Sequence, residues 1–219
     1  PAPGQPLKLA GVFEALSDPV AGQQGPPELA PRGWISRNQA SPPAAAAWTP
    51  GGSPPVGFPQ AGSGYLEASS DAAGMFGAKV SSWAVLPPVT GQVAGDELVV
   101  WALGGGYPNA DTFIDVRYSP SGGTSTGSGP FDVGDFTQVL FSGELSLTPQ
   151  FVYSPVSVTV PGAGRLALRF HSPAISNFQS VAMLFLDTLT VGGTQGPPCG
   201  SLLPTAGQTS FWNATVSPY

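Results

Sequence analysis

The 219-residue chain has one cysteine and one histidine, and only 9% of its residues are charged, against about 25% in an average soluble domain. A lone thiol, Cys199, can neither close an intrachain disulfide nor build a cysteine-based metal site. Within Pro197-Pro198-Cys199-Gly200 it is expected near a turn, as an inert group or as one end of an intermolecular bridge. Lys and Arg number 7 against 13 Asp and Glu, giving a net charge of -6. That leaves no basic surface to neutralise phosphates, which excludes nucleic acid as a partner, and too few cations for attachment to anionic lipid. No apolar run approaches the roughly 18 residues of a membrane-spanning helix. No charged and then apolar leader opens the chain either; Pro1-Ala2-Pro3-Gly4 suits a mature secreted protein whose signal peptide is gone, or a trimmed piece of one. Finally, no stretch of about twelve residues keeps a helical period.

What is abundant is glycine (30) and proline (26), about a quarter of the chain together. Such a sequence is built of strands and turns, and its length suits one domain, 1–219, with a core over 12–191, an N-terminal arm over 1–11 and a C-terminal connector over 192–219. Residues 1–62 leave room only for short strands, and Pro42 to Trp48 is expected as a loop packed through Trp48. From Tyr65 on, apolar runs recur between Gly, Pro and Asp. They predict strands at Gly64 to Ala68, Gly77 to Val85, Glu97 to Leu103, Thr112 to Tyr118, Phe136 to Ser142, Val156 to Val160, Arg165 to His171, Val181 to Val191 and Ser210 to Val216. Two of these alternate with period two. Thr112, Ile114, Val116 and Tyr118 should face the core, as should Leu166, Leu168 and Phe170, leaving Arg165, Ala167 and Arg169 on a wet face. Pro120 to Pro130, without hydrophobes, is expected as a flexible loop or hairpin connection. The whole predicts an all-β, two-sheet antiparallel β-sandwich with long Pro/Gly/Ala-rich loops.

Seven short motifs stand in order along Val12 to Val191. They are Phe13-Glu14, Pro31-Arg32-Gly33-Trp34, the Trp83 strand ending at Pro87, Gly95 to Trp101, Asp115-Val116-Arg117-Tyr118-Ser119, the pair of strands from Val156 to Phe170, and Leu186 to Val191. In that order they resemble the extracellular jelly-roll domains of the cleaved-adhesin and choice-of-anchor J type, which share their architecture with MAM domains. The resemblance implies a jelly roll, an extracellular or cell-surface location, a non-catalytic role in attachment and, in some members, bound calcium. The chain departs from the family in having one acid, Asp187, where two in succession are common, and in lacking a Trp in the 120–130 loop.

Asp187 lies inside the apolar run Leu184 to Val191, and a buried carboxylate needs a partner. If the first and last strands lie side by side, Glu14 and Asp187 approach each other and suit a structural Ca²⁺, with Asp18 and Asp71 as lesser loop donors. The alternative is that Asp187 accepts backbone N–H groups at a bulge or turn. Trp34, Trp48 and Trp212 are candidates to stack on a polysaccharide, whereas Trp83 and Trp101 belong to strands and are expected in the core. His171, at a strand end, has no nucleophile elbow to serve, and the acid pairs Asp96-Glu97, Asp111/Asp115 and Asp132/Asp135 mostly sit beside Gly or Pro, where Asp stabilises turns. No enzyme is expected. Asn213-Ala214-Thr215 fits a glycosylation acceptor. The ends, Gln5 to Val12 and Ser210 to Val216, are potential strands that could complete a neighbouring copy's sheet and drive assembly into a homo-oligomer, filament or layer. The function expected is adhesion or construction of a surface structure, with a carbohydrate-binding module as the alternative.

Overall fold

A computed structural model describes residues 6–11, 13–51, 59–74, 78–106, 113–144, 152–173 and 182–192. Trp212, Asn213, Cys199 and the expected strand Ser210 to Val216 lie outside them. Among the described residues eleven strands follow in chain order: β1 Leu7–Gly11, β2 Ile35–Asn38, β3 Thr49–Pro50, β4 Leu66–Ser69, β5 Val80–Val85, β6 Glu97–Gly106, β7 Phe113–Ser119, β8 Gln138–Glu144, β9 Ser154–Thr159, β10 Arg165–Ser172 and β11 Ala182–Gly192. Eight of the nine expected strands appear within a few residues of their expected ends. The three additional ones, β1 to β3, are the short strands that the first 62 residues leave room for.

The strands form two antiparallel sheets, the all-β sandwich expected. One runs β3-β4-β11-β6-β9 with β1 also on β11; the other runs β2-β5-β10-β7-β8. Between them lies a core in which the period-two faces meet: Ile114, Val116 and Tyr118 from β7, Leu166, Leu168 and Phe170 from β10, Leu184, Leu186 and Leu189 from β11. Trp34 and Trp48 belong to this core as well, at 6% and 0% exposure. Trp34 meets Phe13 edge-on with ring centroids 5.6 Å apart. Neither ring offers an open face, so the sugar-stacking role expected for them is corrected. Both come from proline-rich loops, where the absence of a period hides which residues turn inward.

Two further expectations are corrected on the outer faces. Residues 120–136 fold over the second sheet instead of standing away from it. Gln39 Nε2 donates to Thr126 Oγ1 (3.0 Å) and to the Gly127 carbonyl (2.8 Å), and Asp132 and Asp135 accept backbone N–H groups from within the loop. Beneath it, Trp83, Val85, Ala167 and Phe136 make a separate apolar cluster. The face of β10 expected to be wet is thus covered, and Ala167 and Arg169 are buried. Trp83 is fully buried, but in this satellite cluster, while Trp101 is half-buried on the outer side of β6.

β1 is likewise not free. It pairs with Leu189–Gly192 of its own β11, and Lys8 Nζ binds both oxygens of buried Asp96 at 2.7 and 2.8 Å. The N-terminal strand considered for exchange therefore completes its own sheet. No helix among the described residues is long and apolar enough to cross a membrane.

Candidate functional site

β11 is a long strand with a change of partner in its middle. Leu186 and the residues before it pair with β4, and Leu189 and the residues after it pair with β1. Asp187 and Thr188 face neither, and on the other side the register with β6 shifts at this point, Asp187 lying opposite Trp101 and Leu189 opposite Val100. The extra residue is Thr188, at φ 35°, a conformation unusual for a β-branched side chain and typical of a bulge.

The gap between β4 and β1 is filled by the segment Gln60-Ala61-Gly62-Ser63, tied down by two acids. Asp187, 1% exposed, accepts the N–H of Gln60 (2.7 Å) and of Ala61 (3.0 Å) on Oδ2, and that of Thr188 (2.6 Å) on Oδ1. Burial pushes its pKa up, and the three backbone donors oppose that rise without reversing it. Glu14 grips the same segment from the other end, accepting the Ser63 N–H (2.9 Å) and hydroxyl (2.6 Å), which lower its pKa. Gly62, at φ +69°, holds a backbone conformation that an L side chain adopts only under strain, and a Cβ there would displace the Glu14 carboxylate.

Glu14 and Asp187, singled out from sequence, thus converge on one tetrapeptide. The oxygens gathered there include Gln60 Oε1, which accepts the Thr188 hydroxyl at 3.2 Å. Two carboxylates with an amide and hydroxyl oxygens are in kind the donors that hold Ca²⁺, and no group of three or more Asp, Glu, His or Cys suited to a metal occurs among the described residues. Asp18 and Asp71 are exposed; the Asp71 N–H caps against Ser69 Oγ in a 3₁₀ turn.

Beside Asp187 the outer face of this sheet carries Tyr65, Phe185 and Leu103, with Tyr153 and Met183 against them. Tyr65 and Phe185 meet edge-on at 5.4 Å. The buried Tyr153 hydroxyl has no hydrogen-bond partner among the described residues; burial raises its pKa, and Asp187, Tyr65 and Glu67 add to the rise. Burial, with a contribution from Asp71, also raises that of Glu67.

A second polar centre, which the sequence reading missed, lies under the 120–136 loop. Asp115, 1% exposed, accepts from Arg117 Nε at 2.8 Å and from the Ser142 hydroxyl at 2.7 Å, with His171 Nε2 3.2 Å away and Arg169 Nη1 3.7 Å away. Burial alone would raise its pKa, but the bonds and charges of His171, Ser142 and Arg117 outweigh it and hold the carboxyl well below the usual range. Arg169, lowered to about 10 by burial and by Arg117, stays charged and donates to the Pro130 carbonyl. His171 stacks on Phe113. The sole histidine is thereby held against a ring and a buried carboxylate, while Arg169 and Arg117, through the Pro130 and Phe136 carbonyls, hold the loop.

A concavity of ligand size lies elsewhere. A cleft of about 430 Å³ opens between the 22–30 loop and β2, with Trp34 and Ile35 in its wall and Gln23, Gln24, Ser36 and Arg37 as its polar groups. The loop is held by the Gln24 carbonyl, which accepts the N–H groups of Ala47 (2.9 Å) and Trp48 (3.2 Å).

No protein-family model matches this chain. No curated protein is similar to it in sequence. Solved structures are. A cleaved adhesin domain of Lys-gingipain from Porphyromonas gingivalis is 18% identical, over 86% of this chain and 98% of that one, with a TM-score of 0.54. A second cleaved adhesin domain of Lys-gingipain is 17% identical, over 88% of this chain and 99% of that one, also at 0.54. The fold expected from the seven sequence motifs is therefore the one observed, that of the cleaved adhesin domains.

Proposed function

We propose that this protein is a non-catalytic extracellular domain for adhesion or ligand binding, with carbohydrate as its ligand class. The observation that carries the reading is the correspondence with cleaved adhesin domains over 86% of this chain and nearly their whole length. The state of the acids and the histidine supports it. Asp115 is engaged by Arg117 and Ser142 with His171 beside it, Asp96 holds Lys8, and Asp132 and Asp135 bind backbone N–H groups, so the chemistry that hydrolysis would need free is engaged in holding the fold. Carbohydrate is supported by the cleft beside β2, which combines an apolar wall with amide, hydroxyl and guanidinium groups. A glycan array, followed by titration of its hits, tests the reading; silence on the array and on immobilised cell-surface material would end it.

A structural Ca²⁺ at Glu14 and Asp187 is a second element of the proposal, supported by their convergence on residues 60–63. Such an ion would neutralise a buried carboxylate and lock the seam between β4 and β1. Self-assembly would use an end strand of a sheet, where β8 and β9 are longer than β2 and β3 at the opposite ends. Of these, Pro155 blunts β9.

A further inference from the structure

We infer that the cleft beside β2 recognises the anionic group, carboxylate or sulfate, of an acidic saccharide; this rests on the binding reading above and names its ligand. The polar groups of the cleft are donors. Gln23 Oε1 already accepts the Val20 N–H at 3.2 Å and Gln24 Oε1 the Asn38 N–H at 3.0 Å, so what the two side chains retain is their amide N–H groups. Ser36 adds a hydroxyl. Gly25 packs so close that a Cβ there would stand 2.4 Å from Ser36 Oγ, leaving the hydroxyl at the cleft wall. No acidic residue lines the cleft among the described residues.

The charge of the site points the same way. Of the other cations, Lys8 is bound to Asp96, Arg117 and Arg169 face Asp115, Lys79 sits 4.8 Å over the Phe131 ring, and Arg32 and Arg165 do not line the cleft. Arg37 is exposed, and its one hydrogen bond among the described residues is to the backbone carbonyl of Ser36. It has no carboxylate partner among them. In a chain of net charge -6, an unpaired guanidinium at the mouth of a donor-lined cleft is complementary to an acceptor-rich anion. Its planar fork suits a carboxylate or sulfate held by two parallel bonds. Pro27 and Ile35, both half-buried in the wall, give the sugar ring's apolar face a surface to cover.

Isothermal titration with oligogalacturonate, with a chondroitin sulfate oligosaccharide and with neutral cello- and xylo-oligosaccharides tests this. Binding of the carboxylated, the sulfated or both acidic ligands is expected, at least tenfold tighter than that of the neutral ones. Arg37→Ala should remove that preference without moving the melting temperature, because the side chain is exposed; Arg37→Lys should restore part of it. Neutral ligands bound as well as acidic ones, with Arg37→Ala silent, would overturn the inference and leave the binding reading standing. No binding to any saccharide in either the titration or the array would remove both.

Discussion

The Gln60 N–H donates to Asp187 Oδ2 at 2.7 Å, joining residues 127 positions apart in the chain. Through this bond and the neighbouring one from Ala61, a loop takes the place of a strand partner where β11 passes from β4 to β1. The acid in the last strand is thus the stitch that closes a gap in the sheet.

Replacing Asp187 by Asn turns an amide N–H₂ toward one set of backbone donors and leaves a buried donor unmatched. A loss of about 1–3 kcal/mol is expected, read by urea unfolding. The pH dependence carries a defined sign. Because the folded pKa of Asp187 is raised, its protonation favours the folded state below the unfolded value of about 3.9, and that contribution fades as pH rises through the folded value. The Asn variant should lack this term; unchanged stability at neutral pH would show that residues 60–61 do not depend on the carboxylate.

Asp115→Asn removes the anion facing Arg117, Arg169 and His171. Breaking a buried ionic group in this way costs about 3–5 kcal/mol. Here the sign is reversed. The folded pKa is depressed, so the stabilisation is complete above the unfolded value of about 3.9 and is lost as pH falls through the folded one. Acid titration of the wild type should therefore show a loss of stability below about pH 4 that the Asn variant lacks. Limited proteolysis should also cut the variant within 120–136 sooner.

Calcium should raise the melting temperature, and EGTA should lower it. A hundredfold excess over Kd is worth about 2.7 kcal/mol. Glu14→Gln and Asp187→Asn should each abolish the response. If calcium and EGTA leave the melting curve where it is and metal analysis finds none, the backbone N–H groups alone hold these acids.

Lys8→Met leaves Asp96 buried, with the backbone N–H of Val93 as the remaining donor to its carboxylate among the described residues. It should cost about 2–3 kcal/mol and loosen β1 from β11. Hydrogen exchange should then accelerate at Leu9 to Gly11 ahead of the rest of the sheet; exchange spread evenly over both sheets would show that the ion pair does not anchor β1 in particular.

Most strands were legible because β7, β10 and β11 alternate or run apolar between turn residues, which fixes their inner faces. Their outer faces were not. The loop that covers β10 is largely Ser, Gly and Thr, with no period, so Arg169 read as wet when it is 4% exposed. One signal was available: Asp115, opposite the core face of β7, and Arg169, on the face of β10 read as wet, are cross-strand partners in the β7–β10 ladder, and opposite charges at such positions suggest a pair. Val133 and Phe136, at the end of the loop, also hinted at a cover. Glu14 and Asp187 were legible as marked acids, but Gln60 and Ser63 were not, because they contribute backbone N–H groups, which every non-proline residue has. The cleft beside β2 was equally hidden, since it is made by the packing of a Gly/Pro/Gln loop whose side chains carry no spacing.

Binding without turnover is the central claim, and one measurement addresses it directly. Purified protein is incubated with the saccharides it retains on an array, and the ligand is recovered and sized by mass spectrometry. The account predicts a retained ligand recovered at its original length. Shortened oligosaccharides, or no retention of any saccharide or cell-surface material, would contradict it.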